Sequence, residues 1–254
     1  MLGSGDVGRS LGRGFVRHGH EAMVGSRTPA KLADWVSEVG DAGSAGTFAE
    51  AASFGELNVL ACFGQAAEDV LALAGHANLE GKVLIDTTNP LVFVDGSPRL
   101  FVGHTDSLGE RVQRWIPAAR IVKAFNTVNN ALMADPDVPG GPPTMFLCGD
   151  DADAKATVGA ILEDFGWEPA DIGPIDRSRA LEEMCIAWTA YGFESGCRSR
   201  RTEHREIEES RGLRAAAFAS ARIRGPGHPP EPACLTEPVD AAPNPRKSRT
   251  FACR

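Results

Sequence analysis

Three glycines near the start of the chain, Gly3, Gly5 and Gly8 in MLGSGDVGRSLG, are spaced as Gly-x-Gly-x-x-Gly and run straight into a segment that can be helical. No other feature constrains the fold as tightly. In the dinucleotide-binding form of this spacing, the first glycine permits a tight turn, the second lets the backbone approach a pyrophosphate, and the third lets the helix pack close to the sheet. Backbone N–H groups around Ser4, Gly5, Asp6 and Val7 then face the phosphates, aided by the positive end of the helix. The same spacing also occurs in plain glycine-rich turns, so its context decides. A buried strand should deliver the chain into the loop, yet only Met1 and Leu2 precede it. The natural start is therefore expected a few codons upstream, with Met1 inside the first strand.

The context is an alternation of strand and helix signals. EAMVGS, LNVLACFG, KVLIDTTNP, ARIVKAFNTV and TMFLCG are short apolar or β-branched runs bounded by turn residues. Between them lie segments with helical character: SLGRGFVRHG, TPAKLADWVSEVG, QAAEDVLALAGHA and DSLGERVQRWI. Strands alternating with helices predict parallel strands joined by crossovers, with both sheet faces covered. The expected fold is α/β, a doubly wound parallel sheet of the NAD(P)-binding Rossmann type over residues 1–135, its first strand cut short. A smaller α/β extension is expected over 136–193. It comprises a helix in DDADAKATVGAILEDFG, with Val158, Ile161, Leu162 and Phe165 on one face, an extended EPADIGPI, and a last amphipathic helix in RSRALEEMCIAWTAYGF.

Ligands in such sheets sit at the carboxyl ends of the strands. At the end of the second predicted strand, where an Asp or Glu would bond an adenosine ribose 2′-hydroxyl, the sequence reads GSRTPAKL without a carboxylate. Ser26, Arg27 and Thr28 offer a guanidinium and hydroxyls instead, and Lys31 adds a charge one turn on. These groups suit a 2′-phosphate, so NADP(H) is preferred over NAD, an exposed Arg27 in a plain turn being the alternative. Three further strand ends carry Ala61-Cys62-Phe63-Gly64, Thr87-Thr88-Asn89-Pro90 and Lys123-Ala124-Phe125-Asn126-Thr127. They place small residues, hydroxyls, two amides and one lysine where a nicotinamide would lie. Asn89, Pro90, Phe125 and Asn126 are expected near that ring, and Ala61, Cys62, Phe63, Asn89 and Ala124 at the cofactor. Asn89-Pro90 also reads as a turn and Phe125 as core.

Composition changes near Glu194. Leu, Ile, Val, Phe, Met, Trp and Tyr number 59 in the first 193 residues and 7 in the last 61. The tail falls below the roughly 20% apolar content that a packed core needs. It carries 12 Lys+Arg against 8 Asp+Glu, where the preceding residues carry 14 against 26. Residues 194–254 thus read as a basic Pro/Arg-rich tail with three alternatives: a docking arm, a disordered extension, or the product of a frame shift after Phe193. The net charge of −8 and the lack of a basic cluster before the tail argue against nucleic acid as a partner. No run approaches the roughly 18 apolar residues of a membrane span, and no signal region opens the chain, so a cytoplasmic protein away from membranes is expected. The six cysteines lack the paired spacing of a zinc site or disulfide framework, so no metal is expected, and Cys62 and Cys148 read as buried thiols.

The order GSGDVGRSLG, GSRTPAKL, DTTNPL, KAFNTV, CGDDADAK and LEEMCIAWTAYGF resembles the NADPH-dependent reductases of coenzyme F420, a deazaflavin, and their NADP-binding relatives, over residues 1–193. The resemblance implies a Rossmann domain with a small carboxyl-terminal α/β part, and a second redox partner, F420 or a flavin, packed against the nicotinamide. It places the pyrophosphate loop at Ser4 to Val7, the 2′-phosphate site at Ser26, Arg27 and Lys31, and the nicotinamide side at Asn89, Pro90 and Ala124 to Asn126. The implied chemistry is direct hydride transfer between two stacked rings, which needs positioning and water exclusion and no side-chain nucleophile. No catalytic side chain is assigned on this reading. Two alternatives stay open: an NADP(H)-binding sensor without turnover, and a reductase of a small imine or carbonyl. The latter asks for a proton donor, for which only Lys123, Thr127 and Thr88 are at hand. The expected partner is a small-molecule redox substrate; a homodimer is left open.

Overall fold

The computed structural model describes the backbone of residues 1–194 and the side chains of residues 1–191. All of them belong to one compact unit. Beyond Glu194, the tail expected over 194–254, with its three alternative readings, lies outside the described residues.

The elements follow in the order α1 (Asp6–Arg17), β1 (Ala22–Gly25), α2 (Ala33–Val39), β2 (Gly43–Gly46), α3 (Phe48–Phe54), β3 (Leu57–Leu60), α4 (Ala67–Ala74) and β4 (Val83–Asp86). Then come β5 (Leu91–Val94), β6 (Ser97–Leu100), α5 (Leu108–Trp115), β7 (Arg120–Lys123), β8 (Thr144–Gly149), α6 (Ala152–Asp164), β9 (Glu168–Asp171) and α7 (Ser178–Glu194). Strands β3-β4-β7-β8-β9 form one ladder and β1-β2 another. Leu2 joins the two, bridging Gly25 on one side and Leu60 on the other. Its N–H donates to the Val59 carbonyl at 2.7 Å, its carbonyl accepts from the Ala61 N–H at 3.0 Å, and the Gly25 N–H donates to the Met1 carbonyl at 2.8 Å. The fully buried Leu2 thus holds the central strand position of a sheet that continues on both sides.

The sheet is doubly wound because successive strand residues face opposite ways. Val59, Ile85 and Val122 pack in one core with Leu11 of α1, Trp35 of α2 and Val158 and Leu162 of α6. Their neighbours Leu60, Leu84 and Ile121 pack in a second core with Phe48 of α3, Leu71 of α4 and Val112 of α5. The alternation assigns α1, α2 and α6 to one face and α3, α4 and α5 to the other. β1-β2, β3-β4 and β4-β7 pair in parallel.

Three features differ from the sequence expectation. β8 runs antiparallel to β7, pairing Val122 with Gly149 and Lys123 with Cys148, because no crossover helix stands between them to return the chain. β2, with the sequence GSAG, lacks any β-branched or aromatic residue and is recruited by its partner β1 alone. β5 and β6 form an antiparallel hairpin around Asp95-Gly96, both at positive φ (51° and 78°), the geometry a two-residue turn requires.

Candidate functional site

The glycine loop is sterically compelled. At Gly3, whose φ is +143°, a β-carbon would stand 2.1 Å from the Ala61 carbonyl oxygen, and at Gly8 one would stand 2.0 Å from the Gly3 carbonyl oxygen. Both contacts are with backbone and could not give way. At Gly5 a β-carbon would meet nothing within 4 Å. Gly5 is also the N-cap of α1 in extended conformation, and no side chain caps the helix. The loop therefore leaves open space at Gly5 beside a 12-residue helix N-terminus, where an anion finds backbone donors and a favourable dipole. The Asp6 carboxylate lies in the first turn, so Asp6 would serve an anion there through its backbone.

Side chains brace the loop against the end of β1. Arg9 Nε donates to the Ser4 carbonyl at 2.9 Å, and Ser4 Oγ donates to Ser26 Oγ at 3.2 Å. Ser26 Oγ also accepts from the Thr28 N–H at 3.1 Å, which leaves its own proton for an incoming acceptor. Arg27, Thr28 and Lys31 are exposed. Among the described residues, the Arg27 and Lys31 side chains make no hydrogen bond or ion pair. Two unpaired cations and two hydroxyls thus flank the loop with no carboxylate at the strand end, a donor set that fits a phosphate monoester beside a bound pyrophosphate.

The ends of β3, β4 and β7 lie side by side next to the loop strand. Ala61 is nearly buried, Cys62 is half-buried and Phe63 is 89% exposed. Burial, reinforced by the Asp86 charge, pushes the Cys62 thiol up to about 12, so it remains protonated and is no nucleophile at neutral pH. Asn89 and Asn126 form a reciprocal pair: Asn89 Nδ2 donates to the Asn126 carbonyl at 2.8 Å, and Asn126 Nδ2 donates to Asn89 Oδ1 at 2.9 Å. Pro90 is buried. Ala124, expected at the cofactor, and Phe125, expected near the ring or in the core, are both wholly buried. Phe125 sits at φ +61° with its ring 6.2 Å from that of Phe165, in the core on the α6 side. The left-handed conformation of Phe125 leads the chain into Asn126.

Lys123, one of the three candidate proton donors, is enclosed by acceptors. It is wholly buried, its Nζ 2.9 Å from Asp86 Oδ2, 2.8 Å from Glu182 Oε1 and 2.8 Å from the Thr88 carbonyl. Burial alone would lower the ammonium pKa, but the charges of Asp86 and Glu182 and their hydrogen bonds outweigh it and hold it above the usual lysine range. Lys123 is thus a locked cation and no proton donor. Thr88 is locked as well, its hydroxyl donating to Asp86 Oδ1 at 2.6 Å. Glu182 Oε2 and Oε1 accept from the N–H groups of Leu108 and Gly109 at 2.9 and 3.0 Å, which caps α5 and ties α7 to it. Asp86 and Glu182 carry this arrangement and were not singled out from the sequence. The available signals were an aspartate ending the apolar run VLID beside RIVK, and a glutamate in the Ser178, Leu181, Cys185 stripe of the last helix.

Among the described residues no helix is long and apolar enough to cross a membrane. Residues 1–90 match the family model described as NADP oxidoreductase, coenzyme F420-dependent. A solved structure from Arthrobacter sp. FB24, described as a candidate F420-dependent NADP reductase, is 38% identical and superposes with a TM-score of 0.72, covering 76% of this chain and 92% of that one. The metalloreductase STEAP3 of Rattus norvegicus is 33% identical over 186 residues, which is 72% of this chain and 35% of that protein. The F420-dependent NADP reductase of Methanocaldococcus jannaschii is 30% identical over 109 residues, 42% of this chain and 48% of the reductase. The chain spans between about a third and a half of the length of these two curated relatives.

Proposed function

The chain belongs to the family of NADP oxidoreductases described as coenzyme F420-dependent, and from that premise we propose that it transfers a hydride between NADP(H) and a deazaflavin or flavin partner. The observation that carries this reading is the open space at Gly5 before the α1 N-terminus, with the exposed Arg27 and Lys31 making no hydrogen bond or ion pair among the described residues. When bound, the nicotinamide supplies or accepts the hydride. The protein's part is positional: the Gly3–Gly8 loop and α1 hold the pyrophosphate, Ser26, Arg27, Thr28 and Lys31 hold the 2′-phosphate, and Asn89 and Asn126 orient the nicotinamide side.

Hydride transfer to a ring carbon asks for proximity and exclusion of water, and for no side-chain acid at that carbon. This suits strand ends at which Lys123 and Thr88 are both committed to Asp86. An imine or carbonyl reductase would need a nearby proton donor, and of the three considered only Thr127 remains partly exposed. The deazaflavin reading is therefore preferred. Its partner is a small redox molecule.

Mixing the protein with NADPH and oxidised F420 tests the proposal. Loss of the deazaflavin absorbance with one NADPH consumed per F420 is expected. NADPH binding without oxidation in the presence of F420, flavins or imines would favour a nucleotide-sensing module instead.

A further inference from the structure

α7 presents Ser178, Leu181, Glu182 and Cys185 as one buried stripe. Three of these four residues make polar contacts that tie the helix to the strand ends and to α5. Ser178 Oγ meets Ser107 Oγ, the α5 N-cap, at 2.6 Å. Glu182 meets Lys123 and the first two N–H groups of α5. The Leu181 carbonyl accepts from Asn126 Nδ2 at 3.0 Å. At the exposed rim Arg179 Nε adds a 2.8 Å bond to Glu110 Oε2.

Both protons of Asn126 Nδ2 are thereby committed, one to Asn89 Oδ1 and one to the Leu181 carbonyl. Asn89 Nδ2 gives one proton to the Asn126 carbonyl. Among the described residues no hydrogen bond uses the second Asn89 Nδ2 proton or Asn126 Oδ1, so the pair keeps a free donor and a free acceptor. A primary carboxamide needs one partner of each kind, a donor for its carbonyl and an acceptor for its amide N–H.

We propose that Glu182 is a positioning residue: by docking α7 on Lys123 and α5 it fixes the Leu181 carbonyl, which orients the Asn126–Asn89 pair to receive the nicotinamide carboxamide. The inference rests on the NADP(H) reading. It makes the last helix, remote in sequence from the glycine loop, a determinant of the nicotinamide half of the site and not of the adenosine half.

The test compares the affinities of NADPH and of 2′,5′-ADP, which carries the 2′-phosphate but no carboxamide, in the wild-type protein and in Glu182→Gln, Asn126→Ala and Arg179→Ala. Hydrogen exchange over residues 178–191 is followed in parallel. Glu182→Gln and Asn126→Ala are expected to weaken NADPH about tenfold, the worth of one hydrogen bond, and to leave 2′,5′-ADP unchanged. Faster exchange in α7 should accompany Glu182→Gln. Arg179→Ala, which loosens the same dock from its exposed rim, is expected to act in the same direction to a smaller extent, and it decides the matter should Glu182→Gln not fold. Equal weakening of both ligands, or unchanged NADPH affinity in folded variants, would overturn the inference. A wild-type protein that bound neither ligand would remove the NADP(H) reading itself.

Discussion

Asp86 and Lys123 stand opposite one another in register on the neighbouring strands β4 and β7, and their side chains meet at 2.9 Å without solvent contact. Glu182 closes the cluster from α7. Lys123→Met would leave two buried carboxylates without their cation. The expected cost is about 3–5 kcal/mol, most of it the penalty of uncompensated charge. Thermal unfolding would measure it, and adding Asp86→Asn and Glu182→Gln to Lys123→Met should recover much of the loss. A melting temperature insensitive to Lys123→Met would show that the cluster does not hold the strand ends together.

Gly8→Ala and Gly5→Ala should behave oppositely. The first places a β-carbon 2.0 Å from a backbone oxygen, so α1 must shift off the sheet and stability should fall. The second adds a methyl in open space at an extended position, which leaves unfolding unchanged but fills the approach of a pyrophosphate. NADPH affinity after Gly5→Ala is expected to drop about tenfold or more, as for loss of charge-assisted hydrogen bonds. Denaturant melts beside NADPH titrations separate the two effects.

Arg27→Ala removes an exposed side chain without a partner among the described residues, so stability should change by less than about 0.5 kcal/mol. NADPH affinity should fall by about 10- to 100-fold, corresponding to one or two charge-assisted bonds to phosphate, while NADH affinity stays constant. Equal effects on the two nucleotides would move the 2′-phosphate elsewhere.

The contact between α5 and α7 should be sensitive to acid. Hydrogen bonding to Arg179, partly opposed by burial and aided by Ser107, holds the Glu110 carboxyl below its ordinary value of 4.5. A lowered folded pKa contributes stability that is complete above the unfolded value and is lost as the pH falls through the folded one. The melting temperature should therefore decline as the pH is lowered below 4.5, and Glu110→Gln should make that decline shallower. An identical slope in the variant would dissociate the pair from stability.

The strands that cross the sheet interior were legible because buried parallel strands are continuously apolar: LNVL, VLID and RIVK are all found where expected. The glycine loop was legible for a steric reason, since Gly3 and Gly8 each face a backbone oxygen that admits no side chain. β2 was illegible, for GSAG has no strand preference of its own and pairs only because β1 presents an open edge. The β5–β6 hairpin carried a readable Asp95-Gly96 turn between two extended runs. The polar half of the site was hidden for another reason: Lys123 reads as a free amine in one dimension, and only the register of β4 against β7 and the docking of α7 enclose it between Asp86 and Glu182. Phe125 reads equally as a residue near the nicotinamide and as core, and only the packing of its ring beside Phe165 decides for the core.

On the proposed reading, the loop at Gly3–Gly8 and the turn at Ser26–Lys31 together select a 2′-phosphorylated dinucleotide. Titration of the protein with NADPH and then with NADH, followed by nicotinamide fluorescence, tests it most directly. Saturable binding of NADPH at least about tenfold tighter than of NADH is expected, in keeping with charge-assisted contacts to one phosphate. Equal affinity for the two nucleotides, or binding of neither, would contradict it.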